Sequence, residues 1–324
     1  MQILETRAAP VPQGQEGQRV QILLSTHSPQ LAASADLDSM VMIIGHKAFP
    51  LGKSHTKLKD DDYAFLRRFL DATKANLFFA RGLIIVEGDA DNILLPSIAR
   101  KIGKPFGKFG VSIVNVGHRG LFRYSRILQR ADDTRMPVRV ALLPDRDIPP
   151  EAAKGLVGDR LTEGEWGAAK INAHMQALAA HDGGAVKVFP SEQWTLEFDL
   201  ARIRAFAVFV HQAVQIAKGR ADKTDAQVSA EAQAEVAGWQ ADNTKSADDI
   251  AVLIFEPLYK KQVSKTMVAE QLAAIVDASP DSPADFRVKL PTYIVNAIEH
   301  VTGSDGAEAP VEEPPAPNAG VSGQ

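Results

Sequence analysis

The chain has 324 residues, 45% hydrophobic and 23% charged, with 36 Lys and Arg against 40 Asp and Glu for a net charge of −4. That length holds roughly two domains of about 150 residues, each with its own core, and the near-neutral balance excludes a strongly basic nucleic-acid-binding protein. The absence of cysteine excludes a disulfide scaffold and any Cys-ligated zinc or iron–sulfur site. No apolar run approaches the roughly 18 residues that span a bilayer, so a cytoplasmic protein with no membrane partner is expected.

In chain order, residues 8–18 carry the Pro, Gly and Gln of a loop. Apolar runs at residues 20–24, 83–86, 111–116 and 138–143, with a weaker one at 186–189, read as buried strands. Helix-period segments at 92–102 and 121–131 lie between them, with Pro96 expected to kink the first. Strands alternating with helices predict an α/β fold with a mainly parallel sheet. After about residue 200 the pattern turns helical, at 204–218, 226–239, 247–259, 265–277 and 285–300. Residues 303–324 contain four acids, no Lys or Arg and almost nothing apolar, and read as a disordered tail. Without that tail the chain holds equal numbers of acids and bases.

Ligands of an open parallel sheet collect at the carboxyl ends of its strands, and acids recur there. The run 83–86 enters Glu87-Gly88-Asp89-Ala90-Asp91, where Glu87 ends the strand and Asp91 falls in the first helical turn. The run 138–143 leads to Asp145 and Asp147, which in extended backbone point the same way. Beyond 186–189 lie Glu192, Glu197 and Asp199. Each acid singly reads more readily as a turn former or helix cap. Crowded together they repel unless cations neutralise them, and hard oxygen donors suit Mg²⁺ or Mn²⁺. Two such ions activate water and stabilise a leaving oxygen in phosphodiester hydrolysis.

A strand-terminal Glu with Gly behind it, an acid four residues on and a later Asp-x-Asp together resemble the TOPRIM domain. That Rossmann-like module serves topoisomerases, bacterial primases, certain recombination proteins and the OLD (overcoming lysogenization defect) nucleases. The matching residues are Glu87, Gly88, Asp91, Asp145 and Asp147. Zinc-bearing members need cysteine, and Tyr63, Tyr124, Tyr259 and Tyr293 sit in nothing resembling a topoisomerase's tyrosine domain, which leaves the nuclease branch. Upstream, Gln21-Ile22-Leu23-Leu24-Ser25-Thr26-His27-Ser28-Pro29 resembles the strand and switch histidine of ABC-type ATPases, which the OLD family joins to a TOPRIM domain. No complete P-loop accompanies it: at Gly52-Lys53-Ser54, Lys47 stands where the first glycine belongs.

The resemblance implies a C-terminal part of a longer protein. Residues 1–80 would be the end of an ATPase domain and a linker, 81–200 the TOPRIM core, 201–300 a helical region partly packed on that core, and 301–324 the tail. It implies Glu87 and Asp91 on one metal, Asp145 and Asp147 on a second or shared one, and Glu197 completing the set. Asp89 competes locally with Asp91 but reads rather as a helix N-cap, and Asp199 competes with Glu197. Lys265, opening a helix, would stabilise charge on the phosphate, against a plain surface-lysine reading. Arg119, Arg123, Arg126 and Arg130 share one helical face, which suits a DNA backbone or, equally, a solvated face paired with Asp132 and Asp133. Gly117-His118-Arg119-Gly120 would be a glycine turn beside the site or, equally, a plain strand-to-helix turn. The implied activity is a two-metal DNA endonuclease regulated by ATP in the full-length protein, in phage defence or DNA repair. DNA and the chain's own ATPase domain would be the partners, with a homodimer left open. Two alternatives stand beside it: a haloacid-dehalogenase-like phosphatase, and a non-catalytic appendage that binds DNA or a partner.

Overall fold

The computed structural model describes residues 22–117, 120–219 and 223–303. The helices are α1 (Pro29–Ser34), α2 (Asp60–Phe69), α3 (Asp89–Lys101), α4 (Phe106–Phe109), α5 (Leu121–Arg126), α6 (Lys154–Val157), α7 (Glu163–Trp166), α8 (Ala168–Ala179), α9 (Leu196–Arg202), α10 (Ala207–Lys218), α11 (Asp225–Ala241), α12 (Ala247–Tyr259), α13 (Lys265–Ala278), α14 (Pro283–Arg287) and α15 (Thr292–Thr302). The strands are β1 (Val41–Ile44), β2 (Lys47–Pro50), β3 (Gly82–Val86), β4 (Val111–Asn115), β5 (Arg139–Leu143) and β6 (Val186–Val188).

The centre is a four-stranded parallel sheet in the order β4-β3-β5-β6. Each expected TOPRIM strand lies within a residue of its sequence reading, because a strand covered on both faces is a continuous apolar run. Every residue of β3 is buried. Its side chains alternate across the pleat: Ile84 and Val86 join a core with α3, α9, α10, α12, α13 and α15, while Leu83 and Ile85 join a second core with α2, α5 and residues 32–78. The molecule is therefore mixed α/β with helices on both sheet faces. Val86 pairs with Asn115 on one side and Leu143 on the other, so the residues after all three strands emerge at one edge.

Several expectations are corrected. Of the run 20–24, residues 20 and 21 lie outside the described residues; 22–24 form no strand, and Leu23 is 88% exposed. An apolar run becomes a strand only where a neighbour takes its hydrogen bonds. The hairpin β1–β2 was not foreseen: Gly45 and His46 both take positive φ (54° and 63°), the mirror-image turn normally signalled by Asn-Gly rather than Gly-His. The helix at 92–102 starts three residues earlier and accommodates Pro96 in its interior. That at 121–131 ends at Arg126. The long helix at 285–300 is two, because Pro291 cannot continue one and instead caps the next. Helix α8, in the connection from β5 to β6, buries no residue fully and so carries no apolar stripe to read. The tail at 304–324 and the loop at 8–18 lie outside the described residues.

Candidate metal centre

At the carboxyl ends of β3 and β4 opens a cleft of about 450 Å³, with Lys74, Glu87, Asp89, Asn115 and Gly117 among its walls. Asn115 braces it: its Nδ2 donates to Asp89 Oδ1 (2.6 Å) and its Oδ1 accepts the Gly117 N–H (3.1 Å). Gly117 turns the chain with φ of 66°, where the expected glycine turn begins; His118 and Arg119 lie outside the described residues. Asp89 is the first residue of α3 and Gly88 occupies the cap position, so the reading of Asp89 as a cap is corrected.

Asp91 lies in the first turn of α3 and accepts the Gly88 N–H. A Cβ on Gly88 would stand 3.2 Å from Asp91 Oδ2, which accounts for the glycine behind Glu87. Burial first, then the Glu197 charge, pushes the Asp91 carboxyl up to about 7 against the opposing pull of Lys265. Asp145 follows β5 and accepts the Leu196 N–H at Oδ1 (3.2 Å). Burial and then Glu197 raise its pKa well above the ordinary carboxylate value, with Lys265 opposing and Asp91 and Asp147 adding. Asp147 departs from the expected alternation. Its φ is 60°, its N–H donates to the Trp194 carbonyl (3.1 Å), and its exposed carboxylate stands 3.6 Å from Arg160. The left-handed turn breaks the period of two, so the two acids do not project as a parallel pair.

Glu197 is buried in α9, capped by Thr195. Its Oε2 accepts from Thr195 Oγ1 (2.8 Å) and from Lys265 Nζ (2.9 Å). Lys265 is the first residue of α13. Burial lowers its pKa, but Glu197, Asp145 and Asp91 outweigh that and hold it above the usual lysine value. Asp199, the competitor of Glu197, faces its own loop, accepting the N–H groups of Glu192 (2.6 Å) and Gln193 (3.1 Å). Burial pushes it up to about 7 despite those bonds. It is a clamp on residues 192–194.

Asp91, Asp145, Glu197 and Lys265 thus act on one another electrostatically, with Glu87 adjoining Asp91 and Asp147 adjoining Asp145. One ammonium faces several buried carboxylates, and the donors are hard oxygens, so the set fits Mg²⁺ or Mn²⁺ in charge and chemistry. Among the described residues no three His, Asp or Glu side chains stand close enough to hold an ion as they are placed. Tyr293 was missed by sequence reasoning except as an unsuitable topoisomerase tyrosine. Its hydroxyl is buried without a hydrogen-bond partner and feels the charges of Asp199, Asp145, Asp91 and Glu197. No spacing in the sequence signals it.

Of the arginine stripe, Arg119 lies outside the described residues and the other three arginines have partners within the chain. Arg126 donates Nε and Nη2 to the fully buried Asp62 of α2 (2.7 and 2.6 Å), and Arg123 reaches Asp61 (3.0 Å) and the Phe65 ring. Arg130 is buried and bonds the Pro50 carbonyl, with Asp132 4.0 Å away. These three tie α5 and the turn after it to the segment 50–65. Lys53 pairs with Asp60 (2.7 Å), and His27 lies against Phe79.

Residues 78–147 match the family model for the overcoming lysogenization defect protein-like TOPRIM domain. Similar solved structures include the C-terminal region of the OLD protein of Xanthomonas campestris pv. campestris, at 21% identity, 70% of this chain, 94% of that one and a TM-score of 0.41. Another is the C-terminal region of the Burkholderia pseudomallei OLD protein, at 21% identity, 69% of this chain, 98% of that one and a TM-score of 0.41. No curated protein matches the chain.

Proposed function

Starting from an OLD-like TOPRIM domain over residues 78–147, we propose that the chain is a metal-dependent DNA endonuclease that nicks or cleaves by phosphodiester hydrolysis. The observation that carries this reading is the meeting of Asp91, Asp145, Glu197 and Lys265, from four separate segments, at the ligand-binding edge of the sheet. Glu87 and Asp91 would hold one divalent cation, and Asp145, Asp147 and Glu197 the other. Bound there, Mg²⁺ or Mn²⁺ would supply an activated water and charge stabilisation at the leaving oxygen.

The chain's own groups do the rest. The Gly88 N–H holds Asp91, and the Leu196 N–H holds Asp145, so each carboxylate keeps one oxygen fixed. Lys265 remains protonated because its acidic neighbours favour the charged form, and it can offset the charge that develops on the phosphate oxygens. In a longer chain with an ATPase domain, nucleotide would regulate cutting. A phosphatase of the haloacid-dehalogenase type carries its Asp-x-Asp after the first strand of its sheet, whereas Asp145 follows the third strand of this sheet in chain order.

The reading is tested on supercoiled plasmid with Mg²⁺ or Mn²⁺. Wild type should cut and stop cutting in chelator, while Asp145→Asn and Lys265→Ala should each lose about 100-fold or more in rate. Equal cutting by Asp145→Asn at matched metal would overturn the site, and cutting in chelator would overturn the metal dependence.

A further inference from the structure

Four buried side-chain polar atoms among the described residues lack a hydrogen-bond partner: Arg130 Nε, Arg146 Nε, His211 Nδ1 and Tyr293 Oη. The first three belong to groups whose other nitrogens are bonded, to Pro50, to Glu192 and Glu163, and to Glu235. Tyr293 differs, because the hydroxyl is the only polar atom its side chain has. A buried donor left unmade costs stability, so its retention calls for a partner that this state does not show.

Its place in the fold indicates that partner. Near its far end, the Val301 backbone approaches Gly82 at the start of β3, closely enough that a Cβ on Gly82 would meet the Val301 carbonyl at 2.6 Å. From Val301 back to Tyr293 is about 12 Å of helix, and from Gly82 to Val86 about 13 Å of strand. Helix α15 packs on β3 and β5, which brings Tyr293 to the edge where Glu87 and Asp145 emerge. The Thr292 N–H, donating to Glu192 Oε1 (3.2 Å), fastens this end of α15 to the loop before Glu197. The acids acting on the phenol are Asp199, Asp145, Asp91 and Glu197. Asp199 is taken up by the loop it clamps and Glu197 by Thr195 and Lys265, while Asp91 and Asp145 each accept one backbone N–H, and of these two Asp145 acts more strongly on the phenol. Asp145 accepts one hydrogen bond at Oδ1 and none is present at Oδ2 among the described residues.

We infer that Tyr293 is a positioning residue of the metal centre: when a divalent cation draws the acids together, its hydroxyl donates to Asp145 and fixes how that carboxylate meets the ion. This rests on the metal-centre reading above. Hydrogen bonds to carboxylate ligands orient them, and losing one typically lowers metal affinity about 10- to 100-fold.

The test is direct Mn²⁺ binding to the metal-free chain, followed by the paramagnetic resonance of free Mn²⁺, with melting curves in chelator alongside. Tyr293→Phe keeps the ring and removes only the unpartnered oxygen, so its metal-free melting temperature should equal or exceed wild type while its Mn²⁺ affinity falls about 10- to 100-fold. In an Asp145→Asn background the tyrosine substitution should change affinity no further. If Asp145→Asn weakens Mn²⁺ binding and Tyr293→Phe does not, the role of Tyr293 is overturned and the metal centre stands. A lower metal-free melting temperature with unchanged affinity assigns Tyr293 to packing and also overturns it. If wild type binds no Mn²⁺, the metal-centre reading fails and this inference with it.

Discussion

Burial and the Glu197 charge set the Asp91 carboxyl at about 7, against 3.8 for an ordinary aspartate, and that difference links folding to pH. The folded chain binds this proton more tightly than the unfolded chain. The stabilising contribution is therefore complete below about pH 4 and is lost as pH rises through about 7. Asp199, also at about 7, acts in the same direction. The metal-free protein should thus melt at falling temperature across that window. Asp91→Asn, which cannot ionise, should flatten the slope and raise the metal-free melting temperature at about pH 8. Melting curves in chelator from about pH 4 to 8 check this, and an unchanged slope in Asp91→Asn would contradict the electrostatic description of the site. Divalent metal should reverse the loss at high pH, because it replaces the proton as the neutralising charge.

At the scale of elements, the arginines of α5 are the instructive case. Their spacing is that of a helical face, and a periodic pattern tells which residues share a face without telling what the face meets. The acids that answer them, Asp61 and Asp62, stand in the first turn of α2 beside Asp60, which pairs with Lys53 instead. Three consecutive acids ahead of an apolar-periodic run are a helix-start signal, and here they mark the start of α2. Because Asp62 is fully buried against Arg126, Arg126→Ala leaves a buried carboxylate without its bidentate partner and should cost about 3 kcal/mol in denaturant unfolding. DNA affinity, measured on variant that is still folded, should stay near wild type; a selective loss of DNA binding at full stability would restore the backbone-tracking role. Strands β3, β4 and β5 were legible for the opposite reason. Strands β3 and β5 are buried on both sides and β4 is at least half-buried throughout, so their composition alone marks them, while the hairpin β1–β2 has one exposed face and an atypical turn.

Across the whole molecule, the proposed site draws on residues as distant in sequence as Glu87 and Lys265, with Tyr293 behind them. The helices beyond residue 200 are therefore more than a cover for one sheet face: α13 packs against α3 and presents Lys265 to Glu197, while α15 lies on β3 and β5 and carries Tyr293. The acids could be found in the sequence because each follows a recognisable strand or cap. Tyr293 could not, because only the packing of α15 along β3 and β5 brings it to the same edge. The same dependence on tertiary placement put Asp147 in a left-handed turn that strand periodicity does not anticipate. The most direct measurement is an anomalous difference map from crystals of the chain soaked in Mn²⁺. Peaks about 2.1 Å from carboxylate oxygens of Asp91, Asp145 and Glu197, with Glu87 and Asp147 completing the shells, are expected. A map with Mn²⁺ bound elsewhere, and none among these acids at saturating metal, would contradict the assignment of this cluster as the catalytic metal centre.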